Sequence, residues 1–114
     1  MTKENFIYFI EDLGFNKTSN YRNNGSWESV YSIFPDGLGL FQPKGYISFI
    51  FEGGQDCIRL YYNKERSVDL GFFPIKDIGD FEKIIIVETF SKYFNIIPQG
   101  FKEFIRDSKI SQIL

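Results

Sequence analysis

The 114-residue sequence has no histidine and no alanine, and only one cysteine, one methionine and one tryptophan. Without histidine, the commonest general base and metal ligand is missing. Ser–His and Cys–His nucleophile pairs and histidine-bearing zinc sites are therefore excluded within one chain. The lone Cys57 cannot form an internal disulfide, whereas small secreted domains usually carry several, so the cytoplasm is the expected compartment. No stretch of about 18 apolar residues exists to span a membrane. The opening MTKENFIYFIEDLG places acidic residues within its apolar stretch, unlike a signal peptide. Nor is there a surplus of positive charge: 13 Lys and Arg stand against 15 Asp and Glu, a net charge of −2. That balance argues against general affinity for nucleic acid or anionic membranes, which need a concentrated positive field.

What remains is an ordinary globular composition, 43% apolar and 25% charged, at a length suited to one hydrophobic core. The expectation is a single domain over residues 1–114. Aromatics are abundant, with 14 Phe and 7 Tyr. Ile and Asn are frequent as well and neither stacks, so an A+T-rich coding bias accounts for the excess without a nucleic-acid role.

Phe6, Phe9, Ile10 and Leu13 follow the i, i+3, i+4, i+7 spacing of one helical face. Thr2 suits the N-cap, Gly14 the left-handed C′ position, and Phe15 the contact that packs back on the last turn. Asn16 to Ser26 is polar and reads as a loop. Trp27 to Phe34 alternates as a strand, with Trp27, Tyr31 and Ile33 on one face and Glu28, Val30 and Ser32 on the other. Pro35-Asp36-Gly37 closes it as a turn, and Leu38 to Phe41 reads as a short returning strand. Tyr46–Glu52 and Cys57–Asn63 alternate around Gly53-Gly54-Gln55-Asp56, and a four-residue loop would set Glu52 opposite Cys57. Ile47, Phe49 and Phe51 then share a face with Ile58, Leu60 and Tyr62. Val68–Phe73 continues the meander, adding Val68, Leu70 and Phe72 to that apolar face. Asp80 is the expected cap of a second helix running to about Asn95, apolar around more than half its circumference and so buried on most sides, with Ile84 over Phe49, Leu60 and Leu70. Phe101 to about Ser108 forms a third helix. Helices segregated from strands give an α+β fold: an N-terminal helix, an antiparallel meander of about four strands, and two C-terminal helices, packed mainly on one sheet face.

No catalytic set, metal site or cofactor motif is read. Cys57 lies beside Glu52, which raises a thiol pKa. The carboxylate groups Glu52 with Asp56, Glu65 with Asp69, and Asp77 with Asp80 and Glu82 have turn or helix-start explanations. The glycines fit no phosphate-binding spacing. Lys44-Gly45-Tyr46-Ile47-Ser48-Phe49-Ile50-Phe51 partly resembles the RNP1 strand of RNA-recognition motifs, matching at Lys44, Gly45, Tyr46 and Phe51. It departs at Ile47, where a small residue belongs, and at Ser48, where a base-stacking aromatic belongs. The element order departs as well.

The sheet face opposite the helices should show Val30, Tyr46, Ile50, Arg59, Tyr61 and Phe73. Tyr and Arg join contact area to a polar handle and are enriched in binding hot spots. The expected function is a small non-catalytic protein-binding module that occupies a partner protein through Tyr46, Ile50, Arg59, Tyr61 and Phe73. Inhibitors, immunity proteins and adaptors of mobile elements or phages are of this type. Homodimerisation across the same face is a further option. The alternative is a single-stranded nucleic-acid binder using Tyr46, Arg59 and Tyr61, and third comes a small enzyme with carboxylate chemistry.

Overall fold

Local signals set the first element. In α1 (Lys3–Leu13), the Thr2 hydroxyl accepts the Asn5 N–H at 3.2 Å and caps the first turn. At the other end Gly14 takes φ 113°, and the N–H groups of Gly14 and Phe15 close on the carbonyls of Glu11 and Ile10, both at 3.0 Å. This is the paired closure that needs a left-handed residue, hence glycine. Phe6, Phe9, Ile10 and Leu13 are all buried, and so is Phe15. The computed structural model describes residues 1–23, 26–33, 45–63, 67–94 and 96–113.

Among these residues five antiparallel strands follow and pair in chain order as one sheet: β1 (Asn16–Asn23), β2 (Ser26–Ile33), β3 (Gly45–Glu52), β4 (Gln55–Asn63) and β5 (Ser67–Pro74). A single 3₁₀ turn, Ile75–Asp77, leads to α2 (Asp80–Ser91) and then α3 (Gln99–Ile113). The fold is α+β. Tyr31, Ile33, Ile47, Phe49, Ile58, Leu60 and Tyr62 on the inner face of the sheet form one cluster with buried residues of all three helices. Phe15, Phe90, Phe94 and Phe101 pack ring against ring there, with centroids 5.3–6.2 Å apart from Phe15 to Phe90 and Phe101 and from Phe94 to its neighbours. Two glycines make room for this packing. A Cβ at Gly45 would sit 3.0–3.3 Å from Ile33, Phe94 and Phe90, and one at Gly100 would run into the Asp12 carbonyl and Leu13 backbone at the end of α1.

Several elements differ from the sequence expectation. Residues 16–23, expected as loop, are an edge strand. Asn16, Lys17 and Thr18 are all exposed, so β1 shows no apolar alternation there to read. Its order comes from backbone pairing with β2, Asn16 opposite Ser32 and Asn23 opposite Ser26, with a bulge at Thr18. The expected returning strand Leu38–Phe41 lies outside the described residues.

The β3–β4 connection is a two-residue turn, Gly53 at φ 64° and Gly54 at φ 77°, rather than a four-residue loop. Glu52 therefore faces Gln55, not Cys57. The register moves by two residues, and because side chains alternate with period two every face assignment survives.

In β5 the register breaks instead by one residue. Leu60 pairs with Gly71 and Tyr61 with Asp69, leaving Leu70 as the bulge. Gly71 takes φ 154° and its N–H donates to the Asp69 carboxylate at 3.1 Å. Past the bulge the faces exchange. Phe73 pairs with Ile58 and packs against the core, while Phe72 pairs with Arg59 on the outer face.

The second helix starts with Gly79 at its N-cap and Asp80 as its first residue, and it ends at Ser91. It buries Ile86, Val87 and Phe90, whereas Ile84 is only half-buried and Phe81 is 71% exposed. The helix thus lays one stripe on the sheet instead of being enclosed. Phe49 and Leu60 are buried in the core cluster and Leu70 packs against that cluster, but Ile84 is not among the side chains packed there.

Candidate interaction face

The outer sheet face is set by alternation along β3 and β4. Tyr46 stands opposite Tyr61, Ser48 opposite Arg59 and Ile50 opposite Cys57, and β2 adds Val30 and Ser32 across from Ser48 and Tyr46. Four of the five residues singled out from the sequence, Tyr46, Ile50, Arg59 and Tyr61, are therefore together. Phe73 is not with them, because the bulge at Leu70 turns it inward and presents Phe72 in its place.

The geometry of the patch is specific. The Tyr46 and Tyr61 rings stack with centroids 5.0 Å apart and 6° between planes. Ser48 donates from its hydroxyl to the Tyr61 hydroxyl oxygen at 3.2 Å, which fixes how the ring lies on the sheet. One strand over, the Arg59 guanidinium sits 5.6 Å from the Phe72 ring centroid, and its Nε is 4.0 Å from the Asp69 carboxylate. Strict alternation places Asp69 on this face but not Phe72, which the bulge brings there. The signal that would have found Phe72 is Gly71 inside a strand, which marks a bulge.

Exposure on this face is graded. Val30, Ser32, Ser48 and Cys57 are buried, Tyr46, Ile50 and Tyr61 are half-buried, and Phe72 is 41% exposed. The buried residues are small and stand outside the helix-covered core cluster. Their hydroxyls are satisfied within the sheet, Ser32 by Thr18 at 2.6 Å and Ser48 by Tyr61. Among the described residues, the buried residues of the helices belong to the inner cluster instead.

Burial, more than the neighbouring carboxylates of Glu52, Asp56 and Asp77, pushes the Cys57 thiol above its ordinary range, and Lys76 offsets this only in part. A neutral, enclosed thiol is a poor nucleophile. Glu52 and Asp56 are exposed beside the β3–β4 turn, Asp80 and Glu82 occupy the first turn of α2, and Glu65 lies outside the described residues. Among the described residues no three Cys, Asp or Glu side chains converge as metal ligands. A pocket of about 170 Å³ lies where the start of α1 meets Gln55, Asp56, Ile75 and Lys76. Thr2 is among the residues that line it, and its hydroxyl is engaged in capping α1. No described helix is long and apolar enough to cross a membrane. No family model, curated protein or solved structure matches the chain.

Proposed function

We propose that the chain is a non-catalytic protein-docking module of the inhibitor or adaptor kind, acting in the cytoplasm by occupying a partner protein with the outer face of its sheet. The observation that carries this reading is the Tyr46–Tyr61 stack beside the Arg59–Phe72 contact, on a face that leaves Phe72 open to solvent. Aromatic and arginine side chains of this kind supply contact area with few rotamers to freeze, and they anchor interface cores. The site is built from Tyr46, Ile50, Arg59 and Tyr61, with Phe72 in the position the sequence suggested for Phe73. Nucleic acid is the poorer fit. Arg59, the cationic side chain on this face of β3–β5, is already beside the Asp69 carboxylate, so the patch offers no net positive field to a phosphate backbone.

The reading is tested by comparing what the immobilised chain retains from a lysate of its native host with what Arg59→Ala, Tyr61→Ala and a control on α3, Lys102→Ala, retain. A partner held by the parent and by Lys102→Ala should be weakened by about 2 kcal/mol or more in the two face variants. Equal retention by all four chains would remove the face from the interaction.

A further inference from the structure

We infer that β5 has two registers on β4 and exchanges between them by expelling its one-residue bulge, which swaps Phe72 and Phe73 between the faces of the sheet. In the register described above Tyr62 pairs with Val68 and Tyr61 with Asp69. Beyond the bulge Leu60 pairs with Gly71, Arg59 with Phe72 and Ile58 with Phe73. Carrying the first two pairs on without a break sets Leu60 opposite Leu70, Arg59 opposite Gly71, Ile58 opposite Phe72 and Cys57 opposite Phe73. Val68, Leu70 and Phe72 then turn to the core and Asp69, Gly71 and Phe73 turn outward, the alternation that the sequence suggests. Each register puts one phenylalanine over Ile58 and one on the outer face. A one-residue slip is ordinarily penalised because it exposes the apolar set, and two adjacent phenylalanines remove that penalty here.

The forces that hold the bulge are local. β5 is last in the sheet order among the described residues, so its pairing with β4 sets its register. Leu70 and Phe73 pack against the core only as half-buried side chains. Two contacts favour the bulge: the Gly71 N–H donates to the Asp69 carboxylate at 3.1 Å, and the Arg59 guanidinium sits 5.6 Å from the Phe72 ring centroid. Against it stands the backbone of Gly71 at φ 154°, a conformation that glycine alone enters freely. A Cβ there would also meet the Phe73 ring at 3.2 Å. Two packings matched in this way differ by a small free energy, which leaves the lesser one about 0.1–10% populated. The residue released from the bulge is taken up between Pro74 and α2, a stretch held by the single 3₁₀ turn.

The exchange moves the outer aromatic. It stands beside Arg59 in the bulged register, and beside Cys57 and Ile50 in the unbroken one, two residues or about 7 Å along β4. On the docking reading above, on which this consequence rests, β5 is a gate. A partner that grips Phe72 and Arg59 together binds the bulged register, and its affinity scales with that register's share.

Backbone ¹⁵N relaxation dispersion on the free parent chain tests the exchange. Exchange on the microsecond-to-millisecond scale should appear at residues 69–73 and at the facing residues 58–61, and not in α1. Asp69→Ala removes the acceptor of the Gly71 N–H and should raise the minor population about tenfold. Gly71→Val excludes the backbone conformation of the bulge and favours an extended strand, so the unbroken register should become the major one. Nuclear Overhauser contacts to Ile58 should then come from the Phe72 ring instead of Phe73, and Leu60 should face Leu70 instead of Gly71. A parent without dispersion in β5 overturns the inference, as does an Asp69→Ala chain with an unchanged minor population. So does a Gly71→Val chain that keeps Phe73 inward or no longer folds, because the unbroken register accommodates valine. Every readout is of the free chain, so failure of the docking reading leaves them all unchanged.

Discussion

The two faces of the sheet are both buried at their centres but are built from residues of different size. On the inner face Tyr31, Ile33, Ile47, Phe49, Ile58, Leu60 and Tyr62 lie under three helices and are buried outright. On the outer face Val30, Ser32, Ser48 and Cys57 are as deeply buried, yet they lie outside that cluster. The difference is one of scale. Inner residues are large and need a second layer to remove them from water. The outer centre is filled by small residues, with Tyr61 reaching across to the Ser48 hydroxyl. Among the described residues the buried helix side chains belong to the inner cluster, and on the outer side Tyr46, Ile50, Tyr61 and Phe72 stand more exposed around the buried centre.

The largest expected contrast is between an inner and an outer aromatic. Phe90, fully buried among Phe15, Phe94 and Phe101, should cost about 3–5 kcal/mol on truncation to alanine, as other buried aromatics do. Tyr61→Ala, losing a half-exposed stack and one hydrogen bond, should cost about 1 kcal/mol. Urea unfolding of both variants measures this. Equal losses would make the outer face a second core and end its candidacy as an interface.

A sharper contrast comes from two adjacent residues. Phe73→Ala should destabilise by about 2 kcal/mol and Phe72→Ala by about 0.5, since the first packs on the core and the second is open to water. Strict alternation along the strand gives the reverse order. Finding the reverse would mean that the bulge at Leu70 does not persist in solution.

The smallest effect concerns pH. Cys57 has its folded pKa raised by burial, so the stability tied to its neutral form is fully present below the unfolded value, about 8.5, and is lost as pH rises through the folded one. Urea curves at pH 7 and pH 9.5 should show the parent losing up to about 1 kcal/mol more than Cys57→Ala over that interval. Parallel losses in both chains would place the thiol in contact with water. Tyr31, shifted upward by burial and by Glu11, adds a loss of the same sign at higher pH, common to both chains.

How much was legible follows from the range of the forces involved. Helix α1 was readable to the residue, because its cap, its apolar stripe and its closing glycine all act within one turn. The faces of β3 and β4 were readable too, even with the turn length misjudged, since an error of two residues leaves a period-two pattern unchanged. Four members of the candidate patch follow from that robustness. The fifth failed for the complementary reason: a one-residue bulge inverts every side chain beyond it, and Asp69-Leu70-Gly71 carries that signal only faintly.

The sequence by itself determined the class of fold, the first helix and the division of the central hairpin into two faces, since each rests on contacts between near neighbours in the chain. Tertiary structure alone decided that polar residues 16–23 form a strand, because β2 supplies the hydrogen-bonding partner. It also decided that α2 rests on the sheet through Ile86, Val87 and Phe90 while Phe81 faces water, and that Gly100 stands where α3 meets the end of α1. Those outcomes depend on surfaces distant in sequence meeting at fixed angles, and neither composition nor periodicity encodes the angle at which two elements cross.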